Sequence, residues 1–198
     1  MTTPRLLPLA GDAPVERADA ARNRELLLRA AADLVEACSV ENVTMDAVAQ
    51  RAGVGKGTVF RRFESREGLM AALLDHSETA WQASVISGPP PLGPGAPPRE
   101  RLHAFGHSRI VTSLTHAALI RAAGAAGTRA IGPVSFAAMH VRFLLGQCGL
   151  HGDLGYLATA LLAPLEIPIL EQQLGPEGRS LSEVEAGWSD LVRRIVGE

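Results

Sequence analysis

Cysteine is nearly absent from this chain of 198 residues; Cys38 and Cys148 are its only two. They lie far apart and in no metal-ligand spacing, which excludes a thiolate zinc site, and their apolar neighbours predict two buried, reduced thiols. Aromatic residues are also scarce, with 2 Trp, 1 Tyr and 5 Phe. Lysine occurs once, as Lys56, beside 18 arginines. No apolar run approaches the ~18 residues of a membrane-spanning helix, and the opening MTTPRLLPLAGDAP is too short and too proline-broken for a leader, so a cytoplasmic protein is expected. An excess of one charge is missing too. With 19 basic and 21 acidic residues and 46% hydrophobic content, the chain is wrong for a disordered polyelectrolyte. Sustained period-2 alternation is absent, which leaves little room for a sheet.

What fills the chain is alanine and leucine, 57 residues in all, and these favour helix. The expectation is an all-α fold of about nine helices. Residues 1–15, with three prolines, read as a flexible arm. Apolar positions then recur at three- and four-residue spacing from about Arg17 to Cys38. Thr44 is a helix N-cap before the stripe Met45, Val48, Ala49 and Ala52, and Gly53-Val54-Gly55 forms a turn. A short helix follows from Lys56 to about Phe63, and Ser65 caps the next, which runs past Trp81. Residues 88–98, GPPPLGPGAPP, hold six Pro and three Gly, so an exposed loop is expected there. Helical periodicity resumes near Arg99 and returns over 134–148, in a helix from Asp153 interrupted by Pro164 and Pro168, and in a last helix from Ser180. The expected domains are 16–64 and 65–198.

Residues 44–69, TMDAVAQRAGVGKGTVFRRFESREGL, carry the chemistry. Two short helices joined by a glycine-containing turn make a helix-turn-helix, whose second helix enters a DNA major groove. Ala49 is small where the helices cross, and Gly53 permits positive φ at the end of the first. Val54, Val59 and Phe63 seat the second helix and leave Lys56, Gly57, Thr58, Arg61 and Arg62 free. From Arg51 to Arg66 there are five basic residues and one acid, a net of +4, while the other 182 residues carry −6. Clustered cations neutralise phosphates locally, whatever the total charge. The helix N-termini at Thr44 and Ser65 add backbone N–H groups for phosphate.

This stretch resembles the DNA-binding region of the TetR family of bacterial transcriptional repressors. The likeness rests on the Thr-capped helix, the Ala-Gly-Val turn, the Gly-Thr pair and the following FESREGL, and it extends over about 17–75. It implies phosphate contacts from Thr44 and Arg66, each at a helix N-terminus, and base or backbone contacts from Lys56, Thr58 and Arg61. Four positions depart from the family pattern. Phe60 replaces a usual Tyr and its hydroxyl, and Gly55 replaces a usual Ser. Arg62 stands for a common His and supplies a phosphate contact instead. Gly68 stands where a capping-box Glu belongs, which weakens the start of that helix.

By the same resemblance the remaining helices form a ligand-sensing and dimerisation domain. The apolar faces of Leu161, Leu162, Leu165 and Ile169, and of Val184, Trp188, Leu191 and Ile195, suit a two-fold four-helix bundle with a second copy. Such a homodimer binds double-stranded DNA at a near-palindromic operator. For the effector pocket, Phe136, His140, Phe143 and Gln147 share a stripe; Trp81, Leu102, Phe105, Met139 and Tyr156 line the same cavity. So few aromatics favour a hydrophobic small-molecule effector. No cofactor, metal or catalytic residue is expected. Three alternatives stay open: a metal-responsive regulator using Glu100, His103 and His107; a redox-responsive regulator; and a helical enzyme built on His103, His116, His140 or His151, for which no nucleophile–base or phosphate-loop signature exists.

Overall fold

The structure, a computed structural model, describes residues 13–124 and 136–197. Among these residues all regular secondary structure is helical. Nine α-helices follow in order: α1 (Ala13–Cys38), α2 (Met45–Ala52), α3 (Lys56–Phe63), α4 (Arg66–Ser87), α5 (Pro98–Ala123), α6 (Phe136–Gln147), α7 (Leu154–Leu162), α8 (Ile167–Leu174) and α9 (Leu181–Val196). Short 3₁₀ turns occupy Val40–Asn42 and Ala163–Leu165. The all-α reading is therefore correct.

Most of the arm expected over 1–15 lies outside the described residues. Helix α1 is already formed at Ala13 rather than near Arg17. Pro14 does not prevent this, because the N–H it lacks is one that no first-turn residue can pair within the helix. The Pro/Gly-rich loop ends with Pro97 as N-cap, and Pro98 opens α5. Pro164 and Pro168 break the helical run after Asp153 into α7, a 3₁₀ turn and α8, each proline sitting in the first turn of its segment. The breaks expected at Gly124–Gly127 and Gly132-Pro133 fall almost wholly outside the described residues.

Contacts divide the chain after Leu69 into two units. The first buries Leu27, Leu28 and Ala31 of α1 with Val43, Val48, Val59 and Leu69. These are the apolar positions of the three- and four-residue pattern, so one face of α1 meets the helix-turn-helix. The expectation of two buried thiols is corrected here. Cys38 is exposed at the end of α1, where its thiol donates to the Leu34 carbonyl at 3.0 Å, and Cys148 is half-buried. Helix α1 ends at Cys38, and the adjacent Ala37 is exposed as well.

In the second unit α5 is the central helix, packed against α6, α8 and α9. Its core joins Leu102, Phe105 and Ile110 to Val141 and Leu144 of α6, Leu161 of α7, and Val184, Trp188 and Val192 of α9. Helices α5 and α9 approach closely at Gly106. A Cβ added at Gly106 would lie 2.0 Å from Cζ3 of Trp188, so the indole occupies the space a side chain would take. The indole Nε1–H then donates to the Leu161 carbonyl at 2.8 Å, satisfying a buried donor and a last-turn carbonyl of α7 together. Helix α9 starts with a full capping box between Ser180 and Glu183.

The Gly106–Trp188 contact sets two effects against each other. Alanine at 106 gains about 1 kcal/mol of helix propensity. Overpacking against a fixed ring costs about 1–3 kcal/mol. Gly106→Ala is therefore expected to lower the thermal midpoint, measured by circular dichroism. In a Trp188→Leu background the same substitution should lose most of that penalty; an equal penalty in both backgrounds places the cause elsewhere.

Candidate nucleic-acid interface

The turn between α2 and α3 is built by its caps. Thr44 sits in extended conformation, and its hydroxyl accepts the Ala47 N–H at 3.1 Å. Gly53 closes α2 in the left-handed region at φ 69° and ψ 30°, with its own N–H on the Ala49 and Gln50 carbonyls. The Val54 N–H returns to Ala49 at 3.0 Å, and α3 begins at Lys56. Ala49, Val59 and Phe63 are buried, so α3 is seated by one face.

Counting about 100° per residue around α3, Val59 and Phe63 mark the buried side, and Gly57 and Arg61 lie opposite. Lys56 and Phe60 form one flank of this ridge, Thr58 and Arg62 the other. Arg61 lies along the ridge with its Nε–H on the Gly57 carbonyl at 3.3 Å. The Lys56 ammonium sits 5.7 Å above the Phe60 ring and pairs with the Asp46 carboxylate at 2.7 Å. Phe60 is 41% exposed, an apolar ring on an otherwise polar face. A Cβ at Gly55 or Gly57 would meet nothing within 4 Å, so neither glycine is required by packing. Glu64 ends the helix at φ 65°, a left-handed conformation that a non-glycine residue adopts only under constraint.

Arg66 is the main correction. The resemblance places it on a phosphate, but its guanidinium is engaged inside the unit. Its Nε–H donates to Val43 at 2.9 Å, and its Nη2 donates to Val40 at 2.7 Å and Glu41 at 3.3 Å. Those carbonyls belong to the connection between α1 and α2, where the Val40 carbonyl also accepts the Val43 N–H at 3.3 Å. Gly68 is also explained. A Cβ there would lie 2.1 Å from the Phe63 carbonyl oxygen, so a capping-box Glu does not fit. Ser65 caps α4 alone, accepting the Gly68 N–H at 3.1 Å.

The +4 of residues 51–66 is thinner in space than in sequence. Arg51 pairs with Asp33 at 3.1 Å and Lys56 with Asp46, both acids lying outside that window. Asp46 was not singled out in the sequence; ten positions separate it from Lys56, and only the folded turn brings them together.

In the second unit the residues expected to line a pocket separate into two groups. Trp81 meets Phe105 and Phe136 edge-on at 5.3 and 5.9 Å. His140 stacks near both phenylalanines at 5.6 and 5.8 Å, and Leu102 is fully buried in the same cluster. Burial first, and the positive charge of Arg101 second, lower the His140 pKa to about 4. Its Nε2 and the Nε of Arg101 are buried without a hydrogen-bond partner. By contrast Met139, Phe143 and Gln147 are exposed, as is Tyr156 at 73%. Helix α6 turns only its Val141/Leu144 side fully inward, and this puts Phe143 on the rim.

A polar cluster missed in the sequence lies beside this group. Glu78 accepts from Arg109 at 3.0 Å and from Gln82 at 3.0 Å, while Ser77 Oγ and His116 Nε2 are 3.0 Å apart. The Arg109 guanidinium covers the Trp81 ring at 4.7 Å. The sequence offered no periodic signal for it, because its members come from two helices.

The expected dimer face is corrected in part. Leu161, Leu165, Val184 and Trp188 are buried in the chain's own core, since α5 and α7 supply the partners that a second copy was expected to supply. Ile169 is 43% exposed, and Leu191 and Ile195 are half-buried. For the proposed metal triad, His107 pairs with Glu185 at 2.9 Å, and no group of three metal-binding side chains gathers among the described residues.

Known proteins share this geometry. Residues 27–73 match the family model for bacterial regulatory proteins of the tetR family. Among solved structures, a chain from Rhodococcus sp. described as a TetR-family transcriptional regulator aligns at TM-score 0.54 and 18% identity, covering 89% of this chain and 100% of that one. A TetR transcriptional regulator from Rhodococcus sp. RHA1 aligns at TM-score 0.48 and 21% identity, covering 90% and 97%. Thermus thermophilus FadR, a TetR-family repressor in complex with lauroyl-CoA, aligns at TM-score 0.42 and 20% identity, covering 85% and 92%. Among curated proteins none matches. The matched segment runs from α1 through α2, the turn and α3 into α4, and over that segment the chain is similar to the tetR family of bacterial regulatory proteins.

Proposed function

We propose that this protein is a homodimeric transcriptional repressor of the cytoplasm that reads a near-palindromic operator through α3 and is released by a small hydrophobic effector. The observation that carries the DNA reading is the ridge of α3. Gly57 costs the helix about 1 kcal/mol relative to alanine. Neither packing nor a positive φ requires it. A bare backbone on an exposed, basic helix face lets a second surface approach closely, and a major groove takes a helix in that way. Phe60, at the edge of the same ridge, offers an apolar surface for a thymine methyl. Thr44 presents the N-terminus of α2 to the backbone.

Support for an effector site comes from the aromatic cluster of the second unit. His140 is neutral at physiological pH, lies among apolar rings and keeps a buried nitrogen unpartnered. Such a group pairs with a ligand polar atom or with water. Trp81, Leu102, Phe105 and Phe136 would supply the apolar wall. Homodimerisation rests on the need for two reading helices about one DNA turn apart, with Ile169, Leu191 and Ile195 as the surface left for it.

The two roles assigned to arginine separate experimentally. Lys56→Ala and Arg61→Ala are expected to weaken binding of an operator duplex at least tenfold in gel shift, with an unchanged thermal midpoint. Arg66→Gln removes the guanidinium from three backbone carbonyls and should lower the midpoint first, since a lost hydrogen bond to a charged group costs about 1.5–3 kcal/mol. Undiminished affinity in both ridge variants would remove α3 from the interface.

His140 also sets a pH dependence. Its folded-state pKa of about 4 lies below the ordinary 6.5, so the unfolded chain takes up the proton first. The stability tied to the neutral ring is complete above pH 6.5 and is lost as pH falls towards 4. Urea midpoints of the wild type and of His140→Phe should therefore diverge over that interval, the variant falling less. Parallel curves would show a solvated imidazole.

A further inference from the structure

Helices α1 and α3 enclose a groove of about 230 Å³ on the flank of α3 that carries Thr58 and Arg62. Its polar lining is Asn23 and Arg24 from α1 with Thr58, Arg61 and Arg62 from α3, and no carboxylate is among the lining residues. Elsewhere in this unit arginines are balanced: Arg29 by Glu25 at 2.8 Å, and Arg51 by Asp33 at 3.1 Å. Among the described residues Arg24 and Arg62 have no acidic partner, and the Arg61 Nε–H rests on a backbone carbonyl. Three arginines, an asparagine and a threonine thus border one groove.

Like charges held together repel unless an anion lies between them, and guanidinium forks match the oxygens of a phosphate. The groove adjoins the Gly57/Arg61 ridge, so a duplex seated on that ridge runs its backbone past it. We infer that this groove holds a backbone phosphate of the DNA read by α3, and that Arg24 and Asn23 of α1 are therefore DNA contacts. The inference rests on the DNA reading proposed above. It enlarges the interface from one helix-turn-helix to three helices, with α1 gripping the strand on the side of α3 away from Asp46.

The test uses the full chain and a fluorescent mixed-sequence 30-bp duplex, with anisotropy titrations from 50 to 200 mM KCl. A phosphate contact contributes about 0.9 to the slope of log K against log salt. Arg24→Gln is expected to lower the slope by about that amount, and Arg24→Lys, which keeps the charge, to retain it. Asn23→Asp should lower the slope also. Arg142→Gln, an exposed arginine of α6, serves as control and should leave the slope unchanged.

If Arg61→Ala weakens binding while Arg24→Gln keeps the wild-type slope, the groove assignment is overturned and the DNA reading stands. If the wild-type chain binds no duplex, both fall. A third outcome is a free-anion site: inorganic phosphate at matched ionic strength raises the thermal midpoint of the wild type but not of Arg24→Gln, and the duplex slope is the same in both. That result also overturns the assignment. Circular dichroism of each variant guards against loss of fold, and the Asn23→Asp titration decides the matter if Arg24→Gln does not fold.

Discussion

One guanidinium holds the DNA-binding unit in register. The connection from α1 to α2 turns through Val40–Asn42 and brings its carbonyls to the start of α4. Arg66, in the first turn of α4, donates to three of them. Because α3 ends only a few residues before Arg66, the contact ties the exit of the reading helix to the entry of the one before it. Thr44, the cap of α2, follows directly on Val43, one of the carbonyls held. The position of the α3 ridge thus depends on a residue that lies outside α3. A buried donor set of this kind is costly to break, which suits a module whose geometry must match a groove of fixed width.

The second unit uses a different device. Gly106 lets the Trp188 indole lie against the backbone of α5, and the indole nitrogen reaches Leu161 in α7. Three helices are fixed by one ring that has both an apolar body and a single polar end. The aromatic cluster around Trp81 and the polar group around Glu78 then share α5 as a common wall. The same unit holds two buried atoms without partners, Nε of Arg101 at the start of α5 and Nε2 of His140 on α6. Such mixed surroundings are where a ligand can gain by supplying a missing partner.

Sequence patterning disclosed the helices well, because periodicity and caps are local. Thr44, Gly53 and Ser180 were each readable from the neighbours they serve. It also disclosed the ridge, since Lys56, Gly57 and Arg61 are what is left when Val59 and Phe63 turn inward. Pairings across the fold were not legible. Nothing local distinguishes Arg66 on carbonyls from Arg66 on a phosphate, and nothing joins Asp46 to Lys56 before the turn closes. The apolar stripe of α9 was visible, but its partner was misassigned, because a stripe states that a face is covered and not by which helix. Gly68 shows the same limit: a missing glutamate looks like a weakness until the Phe63 carbonyl is seen to fill its space.

The Asp46–Lys56 pair has a consequence for how charge acts here. An unpaired arginine on the ridge carries a loosely associated chloride or none, and DNA replaces solvent around it. Lys56 already holds an anion of the protein's own, at 2.7 Å, on an exposed surface where such pairs contribute little to stability. Leaving Asp46 for a phosphate exchanges one oxygen ligand for another. The carboxylate left behind stays beside the strand that displaced it. On the DNA reading proposed above, the only lysine of the chain is a jointed arm, held in place by a neighbour that resembles its target.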